Sequence, residues 1–429
     1  MINYQIVKMF TTAKLKNHVN VILVPQKDTQ SVTVLVMYPV GSRYEPEKLA
    51  GVSHYIEHLM FKGTKKRKST LILTREIDRL GAEYNAFTGK EYTAYYIKID
   101  AEYATIALDI LSDMLFNSLF DAKEMEREKG PIIEELRMYK DNPLINIDNL
   151  FEETLYAGCP LGRDIGGTES QVKSYRRDEV LAYRRKYYVP TNMTVVVAGR
   201  VEEKTKSEIE HYFGAAPIQP PPAQTFKPYC FSSAKKERRL VIQKKATDQA
   251  QLMLGFPGFA YAAKENAALT ALNTILGGSM SSRLFIQIRE RRGLAYMIKS
   301  GDDHFRDTGY VYVRAGLEAK NINKAMNVIR QEIDKLKDKA VSKSELNDAK
   351  THLRGAITLS LEDSSVQANW YAREALFYDK IKTPDERLAE IDRVTSGDIQ
   401  RVARQVFRMN QMRVAVIGEV ERERLAFSV

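Results

Sequence analysis

The chain has 429 residues, a formal net charge of +10 at pH 7, 44% hydrophobic residues and 28% charged residues. This length predicts two to three domains. The composition predicts a soluble globular protein, because no apolar run approaches the roughly 18 residues of a membrane helix. The only two cysteines, Cys159 and Cys230, exclude a disulfide framework and suit a reducing compartment, so we expect a cytoplasmic protein.

The first half of the chain has the pattern of strands followed by helices. Two apolar runs, VNVILVPQ (19–26) and SVTVLVMYP (31–39), are separated by the polar residues KDTQ, which predicts an antiparallel pair. A helix is predicted over residues 51–61, because glycine and serine lie at its start and a glycine follows its end. YTAYYIKI (92–99) is typical of a strand, helical patterns dominate residues 101–190, and NMTVVVAGRVE begins a last strand at Asn192.

A proline-rich stretch separates two similar halves. Five of the 14 prolines lie in PIQPPPAQTFKP (217–228), which predicts a linker. NMTVVVAGRVE matches QMRVAVIGEVE from Gln411, and GYVYVRAGL (309–317) and the helical patterns of 320–408 repeat the order of the first half. We therefore predict an α+β fold of two homologous domains, each a mostly antiparallel sheet packed with helices. The expected boundaries are 1–214, a linker at 215–232, and 233–429.

The stretch HYIEH (54–58) lies within the first predicted helix. At about 100° per residue, His54, Glu57 and His58 project from one face. Two imidazoles one turn apart can share a zinc ion, and the intervening glutamate then stands beside the metal as a general base. A polar helix face with two histidines is the alternative, but the whole chain has only six histidines. The pattern therefore favours a catalytic metal site with two histidine ligands.

A catalytic zinc site needs a third protein ligand. The other four histidines are isolated in the sequence, so a carboxylate is the better candidate, and EREKGPIIEELRMYKDNP (126–143) offers several at helical spacing. Glu128 and Glu135 are two turns apart on one face, whereas Glu134 is rotated by about 100° from Glu135. A charged outer helix face is the alternative, and it is preferred for Glu126 and Glu134.

With the order HxxEH in place of HExxH, the sequence resembles the pitrilysin and insulysin family of zinc metallopeptidases. Its size is similar to that of the two-domain members related to mitochondrial processing peptidase. The resemblance covers nearly the whole chain and rests on SHYIEHLMFKGT, GAEYNAFTGKEYTAYY, EREKGPIIEELRMY, PLGRDIGGTES, YYVPTNMTVVVAG and SSRLFIQIRERRGLAY. Cys159 departs from the pattern, because many members have histidine there, but that position is not a ligand.

The resemblance implies how the metal site is completed. Glu135 corresponds to the family's third ligand, so His54, His58 and Glu135 would hold one Zn²⁺ per chain. Glu128 corresponds to a second family glutamate that supports the site, and we expect it to orient a ligand histidine. The corresponding helix of the second half, NAALTALNTILGG (266–278), contains no histidine, so one zinc site per chain is expected.

The resemblance also implies substrate contacts in both halves. Asn85, Ala86 and Phe87 correspond to the family's edge strand, to which an extended peptide adds by strand pairing. From the residues alone, a plain hairpin is the preferred interpretation of this stretch. Arg289 and Tyr296 match the pair through which the family's second domain reaches the substrate. Peptide substrates cleaved inside a closed chamber are therefore expected.

Two functions compete under this resemblance. The first is an active zinc endopeptidase. The alternative is a non-catalytic structural or partner subunit of the same family, which has usually lost part of the metal motif, whereas this chain keeps all of it. A two-domain chain would form half of the chamber that four-domain relatives build, so we predict a homodimer, with a paralogous partner as the alternative. The basic runs KGTKKRK (62–68) and RERR (289–292) carry no nucleic-acid motif, so no nucleic-acid partner is expected.

Overall fold

The computed structural model describes residues 9–220, 222, 226, 228–229, 231 and 239–425, so Cys230 and part of the predicted linker lie outside the described residues. The strands in these residues are β1 (Thr11–Lys14), β2 (Asn20–Pro25), β3 (Ser31–Tyr38), β4 (Glu83–Thr88), β5 (Thr93–Asp100), β6 (Thr194–Gly199), β7 (Leu240–Gln243), β8 (Ala250–Pro257), β9 (Ala295–His304), β10 (Gly309–Leu317) and β11 (Arg413–Ile417).

The helices occupy the stretches between the strands, as the sequence predicts. They are α1 (Val52–Met60), α2 (Thr70–Asp78), α3 (Ala104–Asn117), α4 (Ala122–Asp141), α5 (Pro143–Leu155), α6 (Glu169–Ser174), α7 (Arg177–Tyr187), α8 (Thr205–Phe213), α9 (Asn266–Gly277), α10 (Ile322–Asp338), α11 (Lys343–Ser360), α12 (Ser364–Phe377), α13 (Pro384–Asp392) and α14 (Ser396–Val406). None of the helices in the described part of the chain combines the length and the apolarity that a membrane crossing requires.

Two sheets share one arrangement of strands. The first has the order β1-β2-β6-β3-β5-β4 and the second the order β7-β11-β8-β10-β9. β6 pairs parallel with β2 and β11 pairs parallel with β7, whereas the remaining neighbours are antiparallel. The second sheet therefore repeats the first without β1. The predicted α+β fold of two similar domains, each with a mostly antiparallel sheet, is confirmed.

The predicted pairing of the first two long strands is wrong. β2 and β3 are not neighbours, because β6 lies between them, parallel to β2 and antiparallel to β3. All six residues of β6 are buried. A strand that is buried on both faces takes a central position in its sheet. The short KDTQ stretch therefore connects β2 and β3, although β6, which comes much later in the chain, lies between them in the sheet.

The two compact units are not continuous in sequence. One consists of Met1–Leu136, Asp164–Phe226 and Leu359–Thr383, and the other of Arg137–Arg163, Lys227–Thr358 and Pro384–Val429. Each half therefore contributes one helix to the unit of the other half, α5 to the second unit and α12 to the first. The expected boundaries at 1–214 and 233–429 do not contain this exchange.

Both faces of each sheet are apolar, which explains the need for the exchanged helices. One face of the first sheet packs against α1 and α3, whereas the other face, with Leu35 and Val196, packs against Tyr371 of α12. In the second sheet, Met253 lies on the face that packs against Phe151 of α5. A sheet that buries both faces needs a layer of helices on each side.

Candidate metal centre

Helix α1 presents the HYIEH residues on one side and packs with the other. Val52, Ile56 and Leu59 are at most 1% exposed and belong to the core of the first unit. His54 and His58 are only partly buried, with side chains 13% and 24% exposed. The core contacts therefore fix the helix, and the polar side chains remain accessible.

The start of α1 is held by a buried carboxylate. Glu45 accepts hydrogen bonds from the backbone N–H groups of Gly51 at 2.6 Å and Ser53 at 2.7 Å. A negative charge at a helix N-terminus is favourable, because free N–H groups and the helix dipole converge there. Gly51 has a φ of 93°, and a Cβ atom at this position would lie 2.3 Å from the Gly166 carbonyl oxygen. Glycine is therefore required where the PLGRDIGGTES segment touches the helix.

His54, His58 and Glu135 lie together. Glu135, on α4, places Oε2 at 3.3 Å from His58 Nε2 and 3.6 Å from His54 Nε2. Among the described residues, these three form the one group of three or more ligating side chains whose donor atoms lie within 4.8 Å of one another. The neighbouring Glu134 is exposed and is not part of the group.

The spacing of these atoms fits zinc. Nitrogen and oxygen ligands that share a tetrahedral zinc ion at about 2.0–2.2 Å lie about 3.3–3.5 Å apart. The separations of 3.3 and 3.6 Å are close to that edge length. The donor set of two imidazoles and one carboxylate is also one that catalytic zinc sites use, with a further position left open.

Glu128 contacts the Nδ1 atom of His58. Its Oε1 lies 3.0 Å from His58 Nδ1, and its Oε2 accepts an ion-pair contact from Lys62 at 2.6 Å. Burial alone would lower the pKa of His58, but hydrogen bonds to Glu128 and Glu135 outweigh it and raise that pKa to about 9. Because Nδ1 is engaged by Glu128, Nε2 remains directed at Glu135. The Nδ1 atom of His54 is buried and has no partner among the described residues.

Glu57 stands next to this group without joining it. Its Oε2 accepts a hydrogen bond of 2.5 Å from the hydroxyl of Thr88, at the end of β4. Burial raises the pKa of Glu57 above its ordinary value, although the Thr88 hydrogen bond and the nearby His54 and His58 oppose the shift. A buried carboxylate with a raised pKa has a stronger affinity for a proton than an ordinary one.

Asn85, Ala86 and Phe87 lie on β4, the terminal strand of the first sheet. Among the described residues, β4 pairs with β5 alone, so its other edge has no strand partner there. Asn85 is exposed and its Oδ1 accepts a hydrogen bond from the Ala86 N–H at 2.9 Å. The predicted edge strand therefore ends at Thr88, which contacts Glu57 of α1.

Arg289 and Tyr296 lie close to each other in the second compact unit, whereas the metal group belongs to the first. Arg289 lies in a π-helical stretch, Phe285–Glu290. Its guanidinium carbon is 4.6 Å from the centre of the Tyr296 ring, and Tyr296 is 72% exposed. Tyr296 is therefore exposed, whereas Arg289 is partly buried and pairs with Glu290 at 3.6 Å.

Three contacts around the site are absent from the sequence prediction. Thr88 binds Glu57, Lys62 binds Glu128, and Glu45 caps α1. Lys62 lies four residues after His58, a helical spacing that could have indicated a place on the same side. Glu45 and Thr88 are brought to α1 by loops and a strand, for which no local pattern exists.

Comparison with known proteins shows which proteins this chain is similar to. The family model described as insulinase (peptidase family M16) matches residues 20–169, and the model described as peptidase M16 inactive domain matches residues 174–353. An uncharacterized zinc protease of Bacillus subtilis is 35% identical over 392 residues, which cover 91% of this chain and 94% of that protein. An uncharacterized zinc protease of Streptomyces coelicolor is 36% identical over 380 residues, with coverages of 88% and 83%.

The solved structures agree on the fold. A protease from Helicobacter pylori matches with a TM-score of 0.87 at 23% identity, over 95% of this chain and 99% of that chain. A peptidase M16 inactive domain from Pseudomonas fluorescens matches with a TM-score of 0.86 at 17% identity, over 95% and 98%. Both contain the two sheet-and-helix domains found here.

Proposed function

Because the chain belongs to the insulinase family of peptidases, M16, we propose that it is a zinc-dependent endopeptidase that cleaves peptides or unfolded segments. The proposal rests above all on one observation. Two imidazoles and a carboxylate converge within 4.8 Å, and a second, partly buried carboxylate, that of Glu57, stands beside them. Zinc held by His54, His58 and Glu135 would supply a Lewis acid that makes a water molecule more acidic and polarises a peptide carbonyl.

Glu57 is the proposed general base. Thr88 engages Oε2, which leaves Oε1 as the acceptor for a proton from the attacking water. Its burial raises its pKa, so the proton is held more firmly than by an exposed glutamate. Glu57 then passes that proton to the leaving amine. Glu128 holds His58 in orientation through Nδ1, and Lys62 fixes Glu128 in turn.

The open edge of β4 is the proposed place for the substrate backbone. An extended peptide that pairs with Asn85, Ala86 and Phe87 would continue the first sheet and run toward Thr88 and Glu57. Pairing would use main-chain groups, so it would select extended, unfolded segments rather than a particular sequence. The Asn85 side chain would release the Ala86 N–H for this purpose.

A non-catalytic subunit of the same family is the second candidate. The match of residues 174–353 to an inactive-domain model and the matching inactive-domain structure favour it. In the first half, however, the complete set of His54, Glu57, His58 and Glu135 favours catalysis. Cleavage itself separates the two candidates.

The test combines metal analysis with peptide cleavage. We expect about one zinc per purified chain and cutting of an unfolded peptide library. Glu57→Gln should retain the zinc and lose cleavage by at least about a thousandfold, because the amide has the same size but accepts no proton. Zinc-loaded wild type without cleavage of any library member would favour the non-catalytic candidate. Loss of zinc in Glu57→Gln would make Glu57 a ligand instead of a base.

The active form is proposed to be a homodimer with a closed chamber, in which Arg289 and Tyr296 serve the zinc site of the partner. The exposed Tyr296 beside Arg289 supports a contact outside its own unit. Inactive Glu57→Gln and Tyr296→Phe chains should be mixed under conditions that permit exchange. Random exchange makes half of the dimers mixed, and one site of each mixed dimer is intact, so about a quarter of wild-type activity should return. No recovery despite demonstrated exchange would contradict sharing between chains.

A further inference from the structure

The first compact unit contains a cavity that the peptidase proposal does not use. Its volume is about 790 Å³, and it lies among α3, α7 and α8, with no contribution from His54, His58 or Glu135. Cavities of roughly 300–1,000 Å³ are the size that small-molecule ligands occupy in proteins. The lining includes polar, aromatic and charged side chains.

The charged lining is predominantly positive. It contains Lys65, Lys66, Arg184, Arg185, Asp109 and Asp113. Both carboxylates are already engaged. Asp109 binds Lys66 at 2.5 Å and the buried Arg67 at 2.7 Å, whereas Asp113 binds Arg67 at 3.2 Å and accepts a hydrogen bond from Thr64. Of the four lining cations, Lys66 is therefore paired with Asp109, whereas Lys65, Arg184 and Arg185 have no carboxylate partner among the described residues.

Arg184 is the lining cation that would gain most from a bound anion. Its Nη2 donates to the Leu115 carbonyl oxygen at 2.8 Å, while its Nε is buried without a partner. Arg184 is partly buried, its guanidinium carbon lies 5.0 Å from the centre of the Phe120 ring, and burial lowers its pKa. In the described part of the chain, no carboxylate forms an ion pair with Arg184, Lys65 or Arg185. A partly buried cation without an ion pair is a suitable partner for a bound anion.

We propose that this cavity binds a small molecule through a phosphate group, held by Arg184, Arg185 and Lys65. The excess of two positive charges in the lining matches a phosphate dianion. Guanidinium groups suit this ligand, because their planar forks donate two parallel hydrogen bonds to phosphate oxygens. The site does not depend on the zinc centre or on peptidase activity.

The experiment is a calorimetric titration of the full, zinc-loaded chain with inorganic phosphate at pH 8, with ionic strength held constant by sodium chloride. We expect one saturable site per chain. The Lys65→Ala and Arg185→Ala changes alter exposed residues, and each should weaken phosphate binding by about tenfold. Arg184→Gln should weaken it further. If that variant does not fold, the two exposed positions still decide the matter.

The matched control removes cations elsewhere on the same unit. Lys48 and Lys204 have side chains 70% and 52% exposed and do not line the cavity, so Lys48→Ala and Lys204→Ala should leave phosphate binding unchanged. Absence of saturable binding would overturn the proposal. So would equal affinity in the cavity variants and the controls, because the attraction would then be general to a basic protein. Tighter binding of succinate than of phosphate would also overturn it, in favour of a dicarboxylate.

Discussion

The two compact units share a strand arrangement apart from β1, and the first helix after the second shared strand differs in its side chains. In the first unit, α1 lies between β3 and β4 and presents His54, Glu57 and His58. In the second unit, α9 occupies the corresponding place between β8 and β9, and nine of its residues are buried with no histidine or glutamate among them. The shared scaffold therefore sets where a helix lies, and the outward side chains of that helix set whether chemistry is available.

The second unit also shows why a histidine beside a carboxylate is not enough. His304 Nε2 lies 2.7 Å from Asp302, and His304 Nδ1 lies 2.8 Å from the Phe259 carbonyl oxygen. Burial would lower the pKa of His304, but Asp302 outweighs it and raises that pKa. Both ring nitrogens are thus engaged by protein. At His58 one nitrogen is held by Glu128 and the other faces two further ligating groups.

The largest expected effect tests this contrast directly. His58→Ala should remove zinc and reduce peptide cleavage by at least about a thousandfold, because a three-ligand site loses one of its ligands. His304→Ala should leave the zinc content unchanged. Metal analysis and cleavage rates of both purified variants check the result. Zinc retained in His58→Ala would contradict the ligand assignment. Zinc lost in His304→Ala would mean that the second unit takes part in zinc binding.

The next effect compares two adjacent glutamates of α4. Glu135→Gln should weaken zinc binding more than about a hundredfold, whereas Glu134→Gln should change it little, because only Glu135 faces the imidazoles. Competition with a zinc chelator measures both affinities. Glu134 is the matched control, since it is exposed and differs by one position. Greater sensitivity at Glu134 would shift the register of the site by one residue.

The sequence predicts features that depend on residues close together in the chain. HYIEH and the two glutamates of α4 have helical spacing, and the resemblance to a family selected among them. Thr88 and Glu45 reach α1 from distant segments, so no spacing in the sequence indicated them. The strands were recognisable from their apolar runs, but their order was not, because β6 enters the sheet from a position far along the chain.

The exchange of helices was also beyond the sequence. The apolar faces of α5 and α12 indicate that each must be covered, yet an apolar face does not specify which sheet covers it. In the structure, α5 packs on the second sheet and α12 on the first. Such a choice depends on the shape and area of both sheet faces, which are known only once the chain has folded.

A smaller effect concerns the support of the metal group in the first unit. Lys62→Met should weaken zinc binding by about tenfold, the lower range for changes behind a ligand. The lysine holds one oxygen of Glu128 at 2.6 Å, so its loss would leave Glu128 free to turn away from His58. Lys48→Met, at an exposed ion pair, is the control and should have no effect on zinc. Equal zinc affinity in wild type and Lys62→Met would show that Glu128 holds its orientation unaided.

The smallest expected effect compares the starts of the two exchanged helices. Asp363 caps α12 by accepting a hydrogen bond from the Ser365 N–H at 2.7 Å, and it also pairs with Lys98 at 2.9 Å. Asn142 caps α5 by accepting from the Leu144 N–H at 3.0 Å. Helix α12 therefore begins at a charged cap and α5 at a neutral one, so only the start of α12 should lose stability in acid.

Burial would raise the pKa of Asp363, but hydrogen bonds from Ser365 and Lys98 outweigh it and lower that pKa to about 2. An aspartate in an unfolded chain has a pKa of about 3.9. The stabilisation by charged Asp363 is therefore present above about pH 4 and is lost as the pH falls toward 2. Because the side chain is 42% exposed, solvent screens the pair, and Asp363→Asn should cost less than about 1 kcal/mol at pH 7.

Denaturant unfolding midpoints of wild type and Asp363→Asn should converge between pH 4 and pH 2, as the folded and unfolded pKa values require. Asn142→Asp should create a similar acid dependence in the second unit. A difference between wild type and Asp363→Asn that stays constant over this range would mean that the charge of Asp363 contributes nothing to holding α12.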